Sequence, residues 1–371
     1  MRDLFIAAAL TAALVWPSAN FARAQARQQN RPAAITDPAQ GGVDYLLQGE
    51  YYGYLSSGAD AGPVGVQVVA LGDGKFDAVQ YRGGLPGNGW DRTNKSKLSG
   101  DIQNDRLILA GDGESIFVGG GGQAVAVDSQ SRELGRLTKM ERRSPTMGLA
   151  PPSNAVVLFN GSSTDQFVQQ PAPKLSPDGN LMAGVLTKMP VDAFHMHVEF
   201  KTPFMPTARE QQRGNSGVYI QRRYEVQILD SFGLDGAFNE AGSLYRQTPP
   251  DLNMAFPPLT WQTYDIWFTP PTFAADSKTK TANARITLLH NGIPVHWHRE
   301  ITAKTGGGQQ EAPLPLPIQL QDHGNPVMYR NIWLVPGEGD QNWQDNRSAS
   351  VSSGNCVPYT RHRFAHRWRC G

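Results

Sequence analysis

Along most of this chain apolar and polar residues alternate with a period of two, and stretches with the period of a helix are scarce. Val64–Leu71 (VGVQVVAL) reads as a strand, Gly72-Asp73-Gly74 as a turn and Phe76–Tyr81 (FDAVQY) as the returning strand. Arg106–Ala110 and Ser115–Val118 continue the series, with the glycine-rich break Gly83-Gly84-Leu85-Pro86-Gly87 before them. No helical pattern follows those glycines, so they read as structural turns rather than a nucleotide loop. A second series opens with Ala155–Phe159 and the turn Asn160-Gly161. It continues through Val191–Lys201, a hairpin within Asn215–Asp230, Trp261–Phe268, Ala284–His290 with Asn291-Gly292 as its turn, Ile318–Asp322 and Asn331–Val335. Many short strands separated by turn signals predict an all-β chain, a β-sandwich preceded by a small β-rich domain.

The hairpin, NSGVYIQRRYEVQILD, carries the most chemistry. Val218, Ile220, Val226 and Ile228 fall on one face and predict a core. Asn215, Tyr219, Gln221, Glu225 and Gln227 fall on the other, a mixed polar face with an aromatic that suits a sugar better than bulk solvent. Further along, Gln319, Gln321 and His323 alternate with Ile318 and Leu320 and extend the same kind of face. His323 offers a proton or a metal-binding nitrogen, or caps a strand end through a backbone bond. His195, His197 and Glu199 form a third alternating set. Their i, i+2 spacing is able to chelate a divalent ion if a third ligand comes from elsewhere, and an exposed or hydrogen-bonded polar face is the favoured competing reading. Tyr245 and Arg246 lie in a segment read as a loop beside the sugar face, while Trp261 and Tyr219 are candidate stacking platforms against the commoner place of sandwich aromatics, the core.

Composition narrows the picture. The chain has 371 residues, 39 Gly and 27 Pro, and a net charge of +1. That length suggests about two domains, the Gly and Pro content fits a turn-rich β protein, and the balanced charge gives no case for a nucleic-acid partner. Arg2, the apolar run Leu4–Trp16 and Ala22-Arg23-Ala24 read as a signal peptide over residues 1–24, with Gln25 as the new N-terminus. The expectation is therefore an exported protein, periplasmic or extracellular, with no membrane span after processing. Residues 25–40 read as a flexible lead, 41–147 as the small β-rich domain, 153–337 as the sandwich and 338–371 as a polar, then basic tail. Segments around Ser144-Pro145 and Pro151-Pro152 mark the linker. The two cysteines, Cys356 and Cys370, both lie in the tail, where an exported compartment permits a disulfide.

Residues 153–337 also carry an ordered set of motifs. These are LFNG (158–161), NSG (215–217), YEVQILD (224–230), SLYRQTPP (243–250), Trp261 with Tyr264-Asp265-Ile266, HNG (290–292), LQDHG (320–324) and RNIWL (330–334). In this order they resemble the 3-keto-disaccharide hydrolase family. The resemblance implies a concanavalin-A-like jelly roll and action on glycosides already oxidised at C3. Family members often carry Arg six residues after the Asn of NSG; here that position is Gln221, followed by Arg222 and Arg223.

On that resemblance, Glu225 is the expected general base and His323 an acid near the leaving group. Asn215, Tyr219, Gln221, Gln227, Tyr245, Arg246, Gln319 and Gln321 are expected to bind the saccharide. Glu225 has no second carboxylate about 5 to 5.5 Å away, as a retaining glycosidase needs, because Gln227 occupies the next position on its face. A 3-ketone instead acidifies the C2 hydrogen, so one base suffices for elimination followed by hydration. An ion pair of Glu225 with Arg222 or Arg223 is the structural alternative. A divalent metal stays an open candidate. The competing function classes are a non-catalytic lectin-like module and a cell-surface structural domain.

Overall fold

The computed structural model describes residues 32–57, 61–168, 173–343, 357–360 and 366–369. The signal-peptide segment and both cysteines lie outside the described residues. Among those described, no helix is long and apolar enough to cross a membrane.

The first eight strands are β1 (Gly49–Leu55), β2 (Gly62–Gly72), β3 (Lys75–Arg82), β4 (Lys95–Gln103), β5 (Arg106–Gly111), β6 (Glu114–Val118), β7 (Gln123–Asp128) and β8 (Glu133–Met140). Each pairs antiparallel with the next, and β1 closes onto β8 with Glu50 opposite Met140, giving an eight-stranded barrel. Its filling follows from alternation: Tyr51 and Leu55, then Val64, Val66, Val68 and Ala70, then Phe76 and Ala78 all point inward. The turn between β2 and β3 has positive φ at Asp73 (55°) and Gly74 (71°), the two-residue hairpin type whose twist matches that of the strands.

The remaining strands build a sandwich, so the chain is nearly all β. They are β9 (Val156–Phe159), β10 (Phe167–Val168), β11 (Leu181–Met182), β12 (Val185–Val191), β13 (Phe194–Lys201), β14 (Ser216–Ile220), β15 (Tyr224–Ile228), β16 (Gln262–Thr269), β17 (Thr272–Phe273), β18 (Lys280–Ala282), β19 (Ala284–His290), β20 (Ile293–Ile301), β21 (Leu316–Leu320) and β22 (Met328–Pro336). One sheet has five strands in the order β10-β12-β21-β14-β15. The other has seven, β11-β22-β13-β16-β19-β20 with β9 added to β22. Short two-stranded ribbons join β17 with β18, and Val357–Thr360 with His366–Arg369. Between the two large sheets Val218, Ile220, Val226 and Ile228 meet Met196, Val198, Phe200, Tyr264, Ile266 and Phe268 in one core.

Barrel and sandwich are continuous in packing. Phe204 and Leu259, both from the sandwich half, belong to the barrel's core, and Phe204 meets the Tyr45 ring edge-on at 5.5 Å. On the barrel's outer side a buried polar chain runs from the Tyr81 hydroxyl to Gln67 (2.9 Å), from the Gln67 amide to Glu50 (2.9 Å), and from Arg142 to Glu50 (2.6 Å). Arg142 then lies over the Phe256 ring of the sandwich at 4.9 Å.

The segment 144–150 is strapped across the outer face of the seven-stranded sheet. Thr146 donates to Asp265 (2.7 Å), the Gly148 amide to Glu199 (2.6 Å), and the Leu149 carbonyl accepts from Trp333 (3.1 Å). That strap turns a sheet face that sequence reads as open into a buried one.

Candidate functional site

Glu225 sits on β15 directly opposite Tyr219 of β14, and Tyr219 is in turn opposite Gln319 of β21. The next row across the same strands is Gln227, Gly217 and Gln321, with the Gln321 amide bonded to the Gly217 carbonyl at 2.9 Å. All these side chains point away from the core, because Val218, Val226, Ile318 and Leu320 between them point into it. Gly217 puts nothing in the middle of its row. A Cβ there would lie 2.7 Å from Glu225 Oε1, so the glycine is what lets the carboxylate lean over the strand.

Glu225 is buried, yet among the described residues no arginine pairs with it. Its Oε2 accepts a 2.6 Å bond from the Tyr219 hydroxyl, and Oε1 takes no hydrogen bond among the described residues. Burial pushes the carboxyl up to about 7, against the opposing pull of the Tyr219 bond. Burial also pushes the Tyr219 phenol up, and the Gly307 amide faces its oxygen. The Glu225 main chain is fixed through its N–H, which donates to Thr305 at 2.8 Å. Arg223, one of the two arginines in the competing ion-pair reading, instead donates to Gln221, to the Gln310 carbonyl and to the Leu314 carbonyl.

Around this centre the rest of the sugar face is partly as expected. Asn215 and Gln227 flank Gly217, and both bond to Gln211, a residue that no alternation pattern marks: Asn215 to its carbonyl (2.7 Å) and Gln227 to its side chain (2.9 Å). Tyr245 is anchored by its N–H to the Glu225 carbonyl (3.1 Å), and its ring abuts Gly306. The exposed Arg246 guanidinium stacks on that ring at 5.4 Å. Phe238, half exposed beside Arg246, joins the same rim. Gln211, Phe238, the run Thr305-Gly306-Gly307 and Asn239, whose carbonyl faces Gln227 Nε2 at 3.4 Å, were not found from sequence; of these only the glycines after Thr305 carry a local turn signal.

Two expectations need correcting. Gln221 is not on the sugar face, because β14 ends at Ile220 and the chain turns there with φ of 51° at Gln221 and 53° at Arg222. The side chain is buried, donating to the Val191 carbonyl (2.8 Å) and accepting from Arg223. His323 also leaves the face. It lies exposed in the turn after β21, beyond Asp322.

His195, His197 and Glu199 belong to β13 in the opposite sheet, under the 144–150 strap. His195 stacks flat on Trp267 at 3.9 Å, and burial lowers it to about 4. His197 Nδ1 is 2.6 Å from Asp265, and Nε2 is 3.5 Å from Glu199. Burial opposes charge on His197, but the two carboxylates together overcome it and raise the imidazole to about 9. Glu199 is pulled upward by burial, but bonds from His197, Asn331, Arg330 and the Gly148 N–H hold it down to about 2. Glu199 spends its oxygens on Gly148, Arg330 and Asn331, and His197 Nδ1 on Asp265, while His195 Nε2 and His197 Nε2 are buried without a hydrogen-bond partner among the described residues. Among the described residues no group of three or more His, Cys, Asp or Glu side chains is arranged to hold a metal. Trp261 belongs here too, with the Arg330 guanidinium 4.0 Å from its ring centre. A cavity of about 480 Å³ opens beside Glu199 and Arg330, and one of about 250 Å³ lies at the barrel seam between Trp90 and Asp235. Neither includes Glu225.

The two-sheet sandwich carries a carboxylate without an ion-pair partner, amides and aromatics on its five-stranded face, and its family match makes it a carbohydrate-active protein of the glycosyl-hydrolase kind. Residues 154–335 match the 3-keto-alpha-glucoside-1,2-lyase-like domain, and the chain belongs to that family through this half. A crystal structure of a candidate glycosyl hydrolase from Parabacteroides distasonis ATCC 8503 aligns at 33% identity, covering 50% of this chain and 84% of its own, with a TM-score of 0.47. A second from the same organism aligns at 16% identity over 49% of this chain and 94% of its own, TM-score 0.35. No curated protein matches the chain.

Proposed function

We propose that the protein cleaves 3-keto glycosides by C2 proton abstraction, with Glu225 as the base. The observation that carries this reading is a buried carboxylate raised to about 7 whose Oε1 accepts no protein hydrogen bond. A base of that pKa is half ionised near neutrality and strong enough for a carbon acid already activated by a ketone. Oε1 takes the C2 proton, the C2–H electrons pass into the C3 carbonyl to give the enediolate, and that charge then returns to form the C1–C2 double bond as the C1–O bond breaks. The departing oxygen takes the Tyr219 hydroxyl proton, and Tyr219 recovers one from Glu225, whose carboxyl it already bonds through Oε2, once the proton taken at Oε1 has turned toward it. Water then adds across the double bond at C1 and C2. Arg246 is an exposed cation on the rim and suits the enediolate charge. Access runs over Gly306 and Gly307, exposed glycines against Tyr245 and Tyr219. The N-terminal apolar run supports export as the setting.

The test is incubation with a 3-keto glucoside or 3-keto-trehalose, with and without chelator, following the released sugar or aglycone. Turnover by the wild type that is lost in Glu225→Gln supports the reading. Turnover that survives in Glu225→Gln removes Glu225 from the chemistry.

A further inference from the structure

On the sugar face, two buried carboxamides have lost the freedom to choose which end they present. Gln227 Nε2 donates to Gln211 Oε1 (2.9 Å) and faces the Asn239 carbonyl (3.4 Å). Asn215 Nδ2 donates to the Gln211 carbonyl (2.7 Å) and faces Gln211 Oε1 at 3.5 Å. Carbonyls accept only, so each NH₂ end must point at them, and flipping either amide would set oxygen against oxygen. The opposite ends, Gln227 Oε1 and Asn215 Oδ1, are therefore fixed as acceptors. Both oxygens are buried and have no hydrogen-bond partner among the described residues. Gln227 and Asn215 themselves are 1% and 2% exposed. Between them lies Gly217, without a side chain, and over it leans the carboxylate of Glu225. A buried acceptor left without a donor is unfavourable, so the oxygens favour whatever ligand brings donors to them.

We infer that Asn215 and Gln227 form an acceptor-only shelf that selects the substrate of this site by its hydroxyl donors, with Gln211 as the residue that orients both amides. The inference rests on the saccharide reading of the Glu225 face but not on the elimination chemistry. A neutral sugar carrying adjacent hydroxyls satisfies the shelf. An ether, a fluorine or an anionic oxygen at the same position does not, because it meets an acceptor with another acceptor.

The experiment measures binding by calorimetry to Glu225→Gln protein, which keeps an acceptor for Tyr219 and cannot abstract a proton. The probes are methyl glucoside, methyl 3-keto-glucoside and, for each, the series with one hydroxyl replaced by fluorine. Fluorine keeps the bond dipole and near size but cannot donate. At least one replacement is expected to weaken binding about tenfold. In Gln227→Met or Asn215→Ala protein, folded by its thermal transition, the same pair of probes is expected to bind within about twofold of each other. Equal binding of every fluoro analogue to the parent overturns the shelf, as does a fluorine penalty that both variants leave unchanged, or failure of both parent sugars to bind. Binding with the fluorine penalty intact, in a protein whose wild type turns over no 3-keto glycoside, leaves the shelf standing and removes the elimination chemistry instead.

Discussion

Replacing Glu225 with Gln tests the burial argument without any substrate. The carboxyl is raised from 4.5 to about 7, chiefly by desolvation, a shift worth about 3 kcal/mol at 1.36 kcal/mol per pH unit. The sign follows from proton counting. Below pH 4.5 folded and unfolded chains both hold the proton, and the group contributes nothing. Between 4.5 and about 7 the folded chain retains a proton that the unfolded chain releases, so stability falls as pH rises. Above 7 the full penalty of about 3 kcal/mol is present. Glutamine is neutral throughout and still accepts the Tyr219 hydroxyl. The variant should match the wild type near pH 4.5 and exceed its stability by about 3 kcal/mol at pH 8. Urea or thermal unfolding of the two proteins from pH 4.5 to 8.5, read by circular dichroism, gives the difference; contributions from other carboxylates cancel in it. A pH-independent difference, or a variant less stable at pH 8, refutes the claim that Glu225 is a desolvated base.

Other consequences are as direct. The kcat/KM for a 3-keto glycoside should rise with pH through an inflection near 7, and Tyr219→Phe, by deleting the bond that lowers Glu225, should move that inflection upward while cutting the rate about 10² to 10⁴-fold. Gly217→Ala places a Cβ 2.7 Å from Glu225 Oε1, so turnover should collapse while the melting temperature changes little; unchanged turnover would show that the carboxylate has room to move. His197, raised to about 9, should contribute stability that is complete below its ordinary 6.5 and fades as pH rises through 9, and a His197→Gln protein should lack that alkaline loss. Phe204→Ala should cost about 3 to 5 kcal/mol, since the ring fills the barrel's core, measured as a lower unfolding midpoint.

Much of the sandwich was legible because alternation reports burial directly. Ala284–His290 and its Asn291-Gly292 turn were read to the residue, and the hairpin's two faces were assigned correctly. Gln221 was misplaced for a definable reason. The polar run Gln221-Arg222-Arg223 reads as the connection of the hairpin, but the alternation of β14 carries one residue too far, into a turn whose two positive φ angles Gln and Arg do not advertise. The ends of the site were illegible on different grounds. Gln211 and Asn239 reach Gln227 from loops with no periodicity, and Gly307 reaches Tyr219 from another. Barrel closure depends on Glu50 meeting Met140, a pairing between distant strands that no local pattern encodes. The histidines of β13 were rightly given a polar face, but the strap that buries it comes from the linker.

The linker and the shared core have a practical corollary for anyone trimming the chain. A cut between the two halves, placed where proline pairs invite it, would strip the barrel of Phe204 and Leu259 and bare the greasy rim they seal. It would also strand Arg142 away from the ring it covers. The halves should accordingly melt together in one calorimetric peak, and a sandwich expressed by itself should clump rather than work.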